Sequence, residues 1–176
     1  MVSQQDLTDE RNRRFMRLLE PVNTDCQRWA YTLTRDKVSA DDVYAQAILT
    51  GLVNIHQLRE DGAFKSWMFR IIANTFRQSL RRESRQPEAM PPEDLGFRSP
   101  RDEEWTEREA RSRVLWAAVE KLSPDQRQAL LLFEVHGLSI KEICSVMDKK
   151  DSAVRVLLHR SRQRLSELLK RDGIDE

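Results

Sequence analysis

The chain has 176 residues, room for one ordinary domain or two small ones sharing a linker. Hydrophobic residues make up 39% and charged residues 34%, so any core is small. The scarcity of glycine (5) and proline (6) and the lack of an apolar run of about 18 residues stand against collagenous, low-complexity and membrane-spanning classes. The 30 cations almost cancel the 29 anions, but the charges are placed so unevenly that the near-zero total does not argue against a nucleic-acid partner.

The first residues, MVSQQDLTDERNRR, lack the apolar stretch of a secretory signal, which predicts a cytoplasmic protein. Phe15, Leu18, Leu19, Val22, Cys26, Trp29 and Leu33 then recur at helical steps, with Pro21 dividing the run into two helices. Ser39 with Asp42 three residues on reads as a capping box. It opens a helix whose apolar side is Tyr44, Ala47, Ile48, Leu52 and Ile55. Gly62 marks the next turn. The helix after it buries Phe64, Trp67, Met68, Ile71, Ile72, Thr75, Phe76 and Leu80 and sets Arg70, Asn74, Arg77 and Arg81 on another face.

Glu83 to Glu104 carries seven acids against Arg85, Arg98 and Arg101, together with Pro87, Pro91, Pro92 and Pro100, the composition of an extended linker. Beyond it, Thr106 and Glu109 predict a helix start, before a helix that buries Leu115, Ala118, Val119 and Leu122. Ser123-Pro124 opens the next helix and Gly137 stops it. Ser139 and Glu142 cap a short helix through Ile140, Ile143 and Met147. Asp148 to Lys150 turn, and Asp151-Ser152 cap a long final helix. No strand-like alternation occurs, so the expected fold class is all-α: two small helical domains joined by a flexible linker. The expected boundaries are 11–85, a linker over 86–105, and 106–171.

A short capped helix, a tight turn and a basic helix make a helix-turn-helix, whose second helix enters the DNA major groove. Between Lys149 and Arg171 there are eight cations against Asp151 and Glu167. Val154, Leu157, Leu158, Ser161, Leu165 and Leu168 face inward on the final helix. Ser152, Arg155, His159 and Arg162 project outward. Arginine can bond guanine or phosphate, Ser152 either, and Val156 can meet a thymine methyl group. The competing reading is a solvated charged face.

The Phe64 to Asn74 stretch interleaves cations with aromatic rings, a mixture suited to separated strands. Arginines follow phosphates, rings stack on bases, and an amide such as Asn74 can bond an exposed base edge. By spacing, Trp67 and Phe76 fit a helical core better than a stacking platform, whereas Phe69 sits off the buried stripe and is the stronger stacking candidate. Cys26 and Cys144 lack CxxC spacing, and His56, His136 and His159 are scattered, so no disulfide framework, metal site or cofactor is expected. With no Gly-rich phosphate loop and no nucleophile motif, the chain does not read as an enzyme, and no small-molecule substrate or catalytic residue is assigned.

Two sets of motifs carry a family resemblance. Ala40-Asp41-Asp42-Val43, then Phe64-x-x-Trp67-Met68-x-x-Ile71-Ile72-Ala73-Asn74 ending in Arg81-Arg82, resembles region two of the extracytoplasmic-function sigma factors. Leu122-Ser123-Pro124-x-x-Arg127, Gly137-Leu138-Ser139-x-x-Glu142-Ile143, and Ala153-Val154-Arg155 with Leu158-His159-Arg160-Ser161-Arg162 resemble their region four. The resemblance implies a bacterial initiation subunit that binds core RNA polymerase and promoter DNA. It implies that the minus-ten element is held as melted strand by Arg70, Asn74, Arg77, Arg81, Phe69 and Trp67, with 57–64 forming the pocket for a flipped base. The minus-thirty-five element is then read as duplex by Ser152, Arg155, Val156, His159, Arg160 and Arg162. Asp41, Asp42, Ala45 and Gln46 dock on the clamp helices of the polymerase's largest subunit, and the flap of the second-largest subunit is a further contact. An anti-sigma factor, membrane-associated, is the implied regulator. The alternative is a helix-turn-helix regulator that binds duplex operator without polymerase.

Overall fold

A computed structural model describes residues 4–83 and 107–171, so the expected linker and the start at Thr106 lie outside the described residues. The described residues form eight α-helices and three short 3-10 turns, with no strand among them. They divide into two compact units, one centred on the helices before Glu83 and the other on those after Glu107.

In the first unit, α1 (Gln4–Leu19) and α2 (Asn23–Thr34) are separated by a 3-10 turn, Glu20–Val22, with Pro21 at its start, as the proline requires. Arg35 takes a left-handed backbone (φ 61°) and its N–H bonds Tyr31 O at 2.8 Å, ending α2. The helix α3 (Lys37–Asn54) starts earlier than the Ser39 box predicts. Asp36 is the cap, its carboxylate accepting from both Ser39 N and Ser39 Oγ at 2.8 Å. An aspartate three residues before a serine offers the stronger, charged acceptor, which wins over the serine as cap.

The helix α4 (Phe64–Glu83) packs against α1, α2 and α3, so its buried surface is wider than the single stripe read from spacing. Phe69 and Ala73 are buried in addition to Phe64, Trp67, Met68, Ile71 and Ile72, while Leu80, expected inside, is exposed. The Phe15 and Phe64 rings meet edge to face at 5.5 Å. Gly51 lets α3 approach this cluster: a Cβ there would lie 2.8 Å from Met68 Sδ and 2.9 Å from Phe15 Cε2.

The later helices are α5 (Glu107–Glu120), α6 (Pro124–Glu134), α7 (Ile140–Met147) and α8 (Asp151–Arg171), all in the second unit except Ser145–Met147 of α7. Ser123 with Gln126, and Ser139 with Glu142, form complete capping boxes, and Gly137 adopts φ +68°. Long α8 lies across α5 and α6, and Leu165 packs on Val119, Leu122, Leu130 and Leu131. Arg127 is buried, its Nη1 reaching both the carbonyl and the carboxylate of Glu120 at 3.3 Å. Leu115, expected in the core, is exposed beside Trp116. α8 opens at Asp151 itself, so Asp151 acts as a first-turn acid rather than as the expected cap.

Candidate nucleic-acid interface

In the second unit the α7–α8 turn is set by Asp148, left-handed at φ 54°, whose N–H bonds Cys144 O. Lys149 Nζ pairs with Asp125 at 3.0 Å, tying the turn to the start of α6. Val154, Leu158 and Ser161 are buried on one side of α8. Ser161 Oγ lies 2.6 Å from Leu157 O and 3.0 Å from Gln126 O, sharing its one proton between them, so a polar residue is satisfied within the packed side. Ser152, Arg155, His159 and Arg162 are exposed on the other side, as spacing predicts, and Val156 and Arg160 are exposed beside them.

Two of these arginine positions carry prior engagements. Arg155 Nε donates to Asp151 Oδ1 at 2.6 Å, one turn back, which also raises the guanidinium pKa, first through that hydrogen bond and then through the charge. Arg162 donates from Nε and Nη2 to Glu134 Oε1 at 3.1 and 2.7 Å and lies 5.2 Å over the Phe133 ring, so it braces α8 against α6. A base contact by Arg155 competes with Asp151. Arg162 faces a stronger competitor in Glu134 and Phe133, so it has less reach for DNA than the bare spacing suggests.

In the first unit α4 presents Arg70, Asn74 and Arg81 at the surface and Arg77 half-buried beside them. Arg77 Nη1 donates to Asn74 Oδ1, which orients that amide. The two rings expected to meet bases are core residues. Phe69 is fully buried and lies flat on Trp29, with ring centroids 5.7 Å apart and 10° between planes. Trp29 Nε1 donates to the Phe69 carbonyl at 3.1 Å. Trp67 is buried against Phe64. Burial removes both faces from any ligand, so the stacking role assigned to Phe69 is withdrawn. Phe76, placed in the core by spacing, is the α4 ring that keeps accessible surface. Ahead of α4, the segment 58–63 closes in the 3-10 turn Asp61–Ala63, and Arg14 and Arg17 of α1 reach it through Asp61.

On α3, Asp41, Asp42, Ala45 and Gln46 are all exposed and share one side of the helix. Val38, Leu49 and Val53 are exposed on the same helix, apolar positions that the motif reading missed and that alternating surface exposure of a charged helix does not signal. Cys26 is buried, and burial, then Asp25, pushes its thiol up to about 12, which keeps it protonated and unreactive at neutral pH. No group of three potential metal ligands occurs among the described residues, and no described helix is long and apolar enough to cross a membrane.

Residues 15–86 match the family described as Sigma-70 region 2, and residues 112–165 match Sigma-70, region 4. The extracytoplasmic-function (ECF) RNA polymerase sigma factor SigE of Mycolicibacterium smegmatis is 30% identical over 145 residues, covering 81% of this chain and 56% of its own length. The ECF RNA polymerase sigma factor EcfG of Rhodopseudomonas palustris is 26% identical over 148 residues, covering 84% and 81%. The chain thus spans a little over half of the first relative and most of the second. Among solved structures, the sigma factor RpoE in complex with the anti-sigma factor NepR from Bartonella quintana superposes with a TM-score of 0.67 at 22% identity, covering 89% of this chain and 96% of that one. CnrH in complex with the cytosolic domain of CnrY gives 0.63 at 22%, covering 95% and 97%.

Proposed function

Because the chain belongs to the sigma-70 family, as a member of the ECF group, we propose that it is an initiation factor that joins core RNA polymerase in the bacterial cytoplasm and directs it to promoters. In this reading 11–85 acts as region two, 86–105 as the linker and 106–171 as region four. The outer side of α8 reads the minus-thirty-five element as duplex through Ser152, Arg155, Val156, His159 and Arg160. The α4 surface, Arg70, Asn74, Arg77 and Arg81, holds the minus-ten element once its strands part, with Asn74 and the segment before α4 receiving a flipped base. The α3 face of Asp41, Asp42, Ala45 and Gln46 docks on the clamp helices of the largest subunit, and the second unit meets the flap of the second-largest. Catalysis belongs to the polymerase.

The observation that carries this reading is the arginine and amide row of Arg70, Asn74, Arg77 and Arg81 on α4, a helix that is not part of the helix-turn-helix. A regulator confined to duplex operator has no use for it. A solved complex of similar fold pairs a sigma factor with the anti-sigma factor NepR, which supports control by such a partner, here taken to be membrane-associated. The test is reconstitution: protein plus core polymerase, offered a pool of duplexes randomised across both promoter elements, should yield run-off transcripts from a defined subset. Failure to bind core, or transcripts with no shared sequence, defeats the proposal.

A further inference from the structure

We propose that Arg14 of α1 is a positioning residue for the base-receiving segment between α3 and α4, an inference that rests on the function proposed above. A base drawn out of the stack needs a receptor of fixed shape, and the backbone of 58–63 is fixed locally only at its two ends, Leu58 N–H to Ile55 O and Ala63 N–H to Glu60 O at 3.1 Å each, the latter in the 3-10 turn. Leu58 is buried, but Arg59, Glu60, Asp61 and Gly62 are exposed, and a Cβ added at Gly62 would meet nothing within 4 Å. The segment also carries two acids, Glu60 and Asp61, where a polyanion must approach.

Arg14 answers both difficulties. Its Nε and Nη2 donate to Asp61 Oδ1 at 2.9 and 2.6 Å, and its Nη2 also donates to the Leu58 carbonyl at 3.2 Å. One guanidinium therefore holds the segment at its entry and at its 3-10 turn, from a helix more than 40 residues earlier. Arg17 Nη2 stands 3.5 Å from Asp61 Oδ2, and together the two cations offset the Asp61 charge. The planar fork is what spans both acceptors; a lysine ammonium in its place reaches one of them. Such exposed pairs add little to global stability. Their effect lies in ordering the segment before the base arrives, so that this ordering does not oppose capture.

The test uses holoenzyme on the promoter that the parent protein selects from the randomised pool. Arg14→Ala should lower open-complex formation, read by permanganate footprinting, about tenfold, the effect of returning roughly one residue's backbone freedom to the segment. It should also flatten base preference at one minus-ten position, while minus-thirty-five preference and affinity for core stay parental. Asp61→Ala should act alike, the double variant should be no worse than either single one, and Arg14→Lys should fall between parent and Arg14→Ala. Parental preference at every minus-ten position in Arg14→Ala, equal loss of preference in both elements, or single effects that add would each overturn the inference while leaving the proposed function standing. A parent holoenzyme that selects no promoter refutes both.

Discussion

Replacing Phe69 by leucine separates the two roles that a ring on α4 can have. Phe69 is fully buried with its ring flat on Trp29, and the Trp29 indole bonds a backbone carbonyl, so leucine keeps that hydrogen bond and most of the apolar volume. What is lost is the ring pair, worth about 0.5–1.5 kcal/mol, and some shape complementarity, usually under about 1.5 kcal/mol. The sum of about 1–3 kcal/mol lowers the melting temperature of a unit this size by roughly 5–20 °C, measurable by circular dichroism. Alanine is the poorer probe, since a loss of about 3–5 kcal/mol approaches the whole stability of a small domain. At a temperature where both proteins are folded, Phe69→Leu holoenzyme should open its promoter as the parent does. Arg70→Ala, one residue on and exposed, should melt within about 0.5 kcal/mol of the parent and yet open poorly. A Phe69→Leu protein that melts normally but no longer opens promoters would refute the core assignment, because the ring would then be serving a base.

The other predictions concern α8, α3 and the buried thiol. Arg155→Ala should weaken binding to the selected minus-thirty-five duplex roughly ten- to a hundredfold and relax preference at one base pair, whereas Asp151→Asn, which releases Arg155, should tighten it about twofold; fluorescence anisotropy measures both, and a weaker Asp151→Asn complex contradicts the competition. Gly51→Ala forces a Cβ against Met68 Sδ and the Phe15 ring, an overpacking cost of about 1–3 kcal/mol against about 1 kcal/mol of helix propensity gained, so its melting temperature should fall; a rise means that the three helices have room to give. The Cys26 thiol stands at about 12 in the folded protein against an ordinary 9.0, so the folded state binds its proton more tightly. Its contribution to stability is complete below pH 9 and is lost as pH rises toward 12. Chemical denaturation across that interval should show a fall that Cys26→Val reduces, and native protein at pH 8 should resist alkylation at this position.

Helix ends were the most legible part of the sequence because their chemistry is local. Ser123 with Pro124, Ser139 with Glu142, and Gly137 act within three or four residues, and each behaves as read. Asp36 escaped because two overlapping caps competed and the geometry of one carboxylate decided between them. The α8 outer row was legible because that helix packs on one side. On α4 the same reasoning failed for Phe69, since a helix contacted by α1, α2 and α3 buries residues that a single stripe leaves out, and only tertiary neighbours reveal this. The hold of Arg14 on Asp61 and Leu58 and the brace of Arg162 on Glu134 join residues distant in sequence, so neither leaves a periodic signal.

The packed side of α8 rests on Val154, Leu158 and Ser161, while Ser152, Val156, His159 and Arg160 sit on the side turned to solvent. Substitutions on the outer row therefore carry little folding penalty, usually within about 0.5 kcal/mol. On the function proposed above, lineages can drift toward new target sequences one residue at a time on an unchanged scaffold. An engineer can retune the same positions without redesigning the hydrophobic side that supports them.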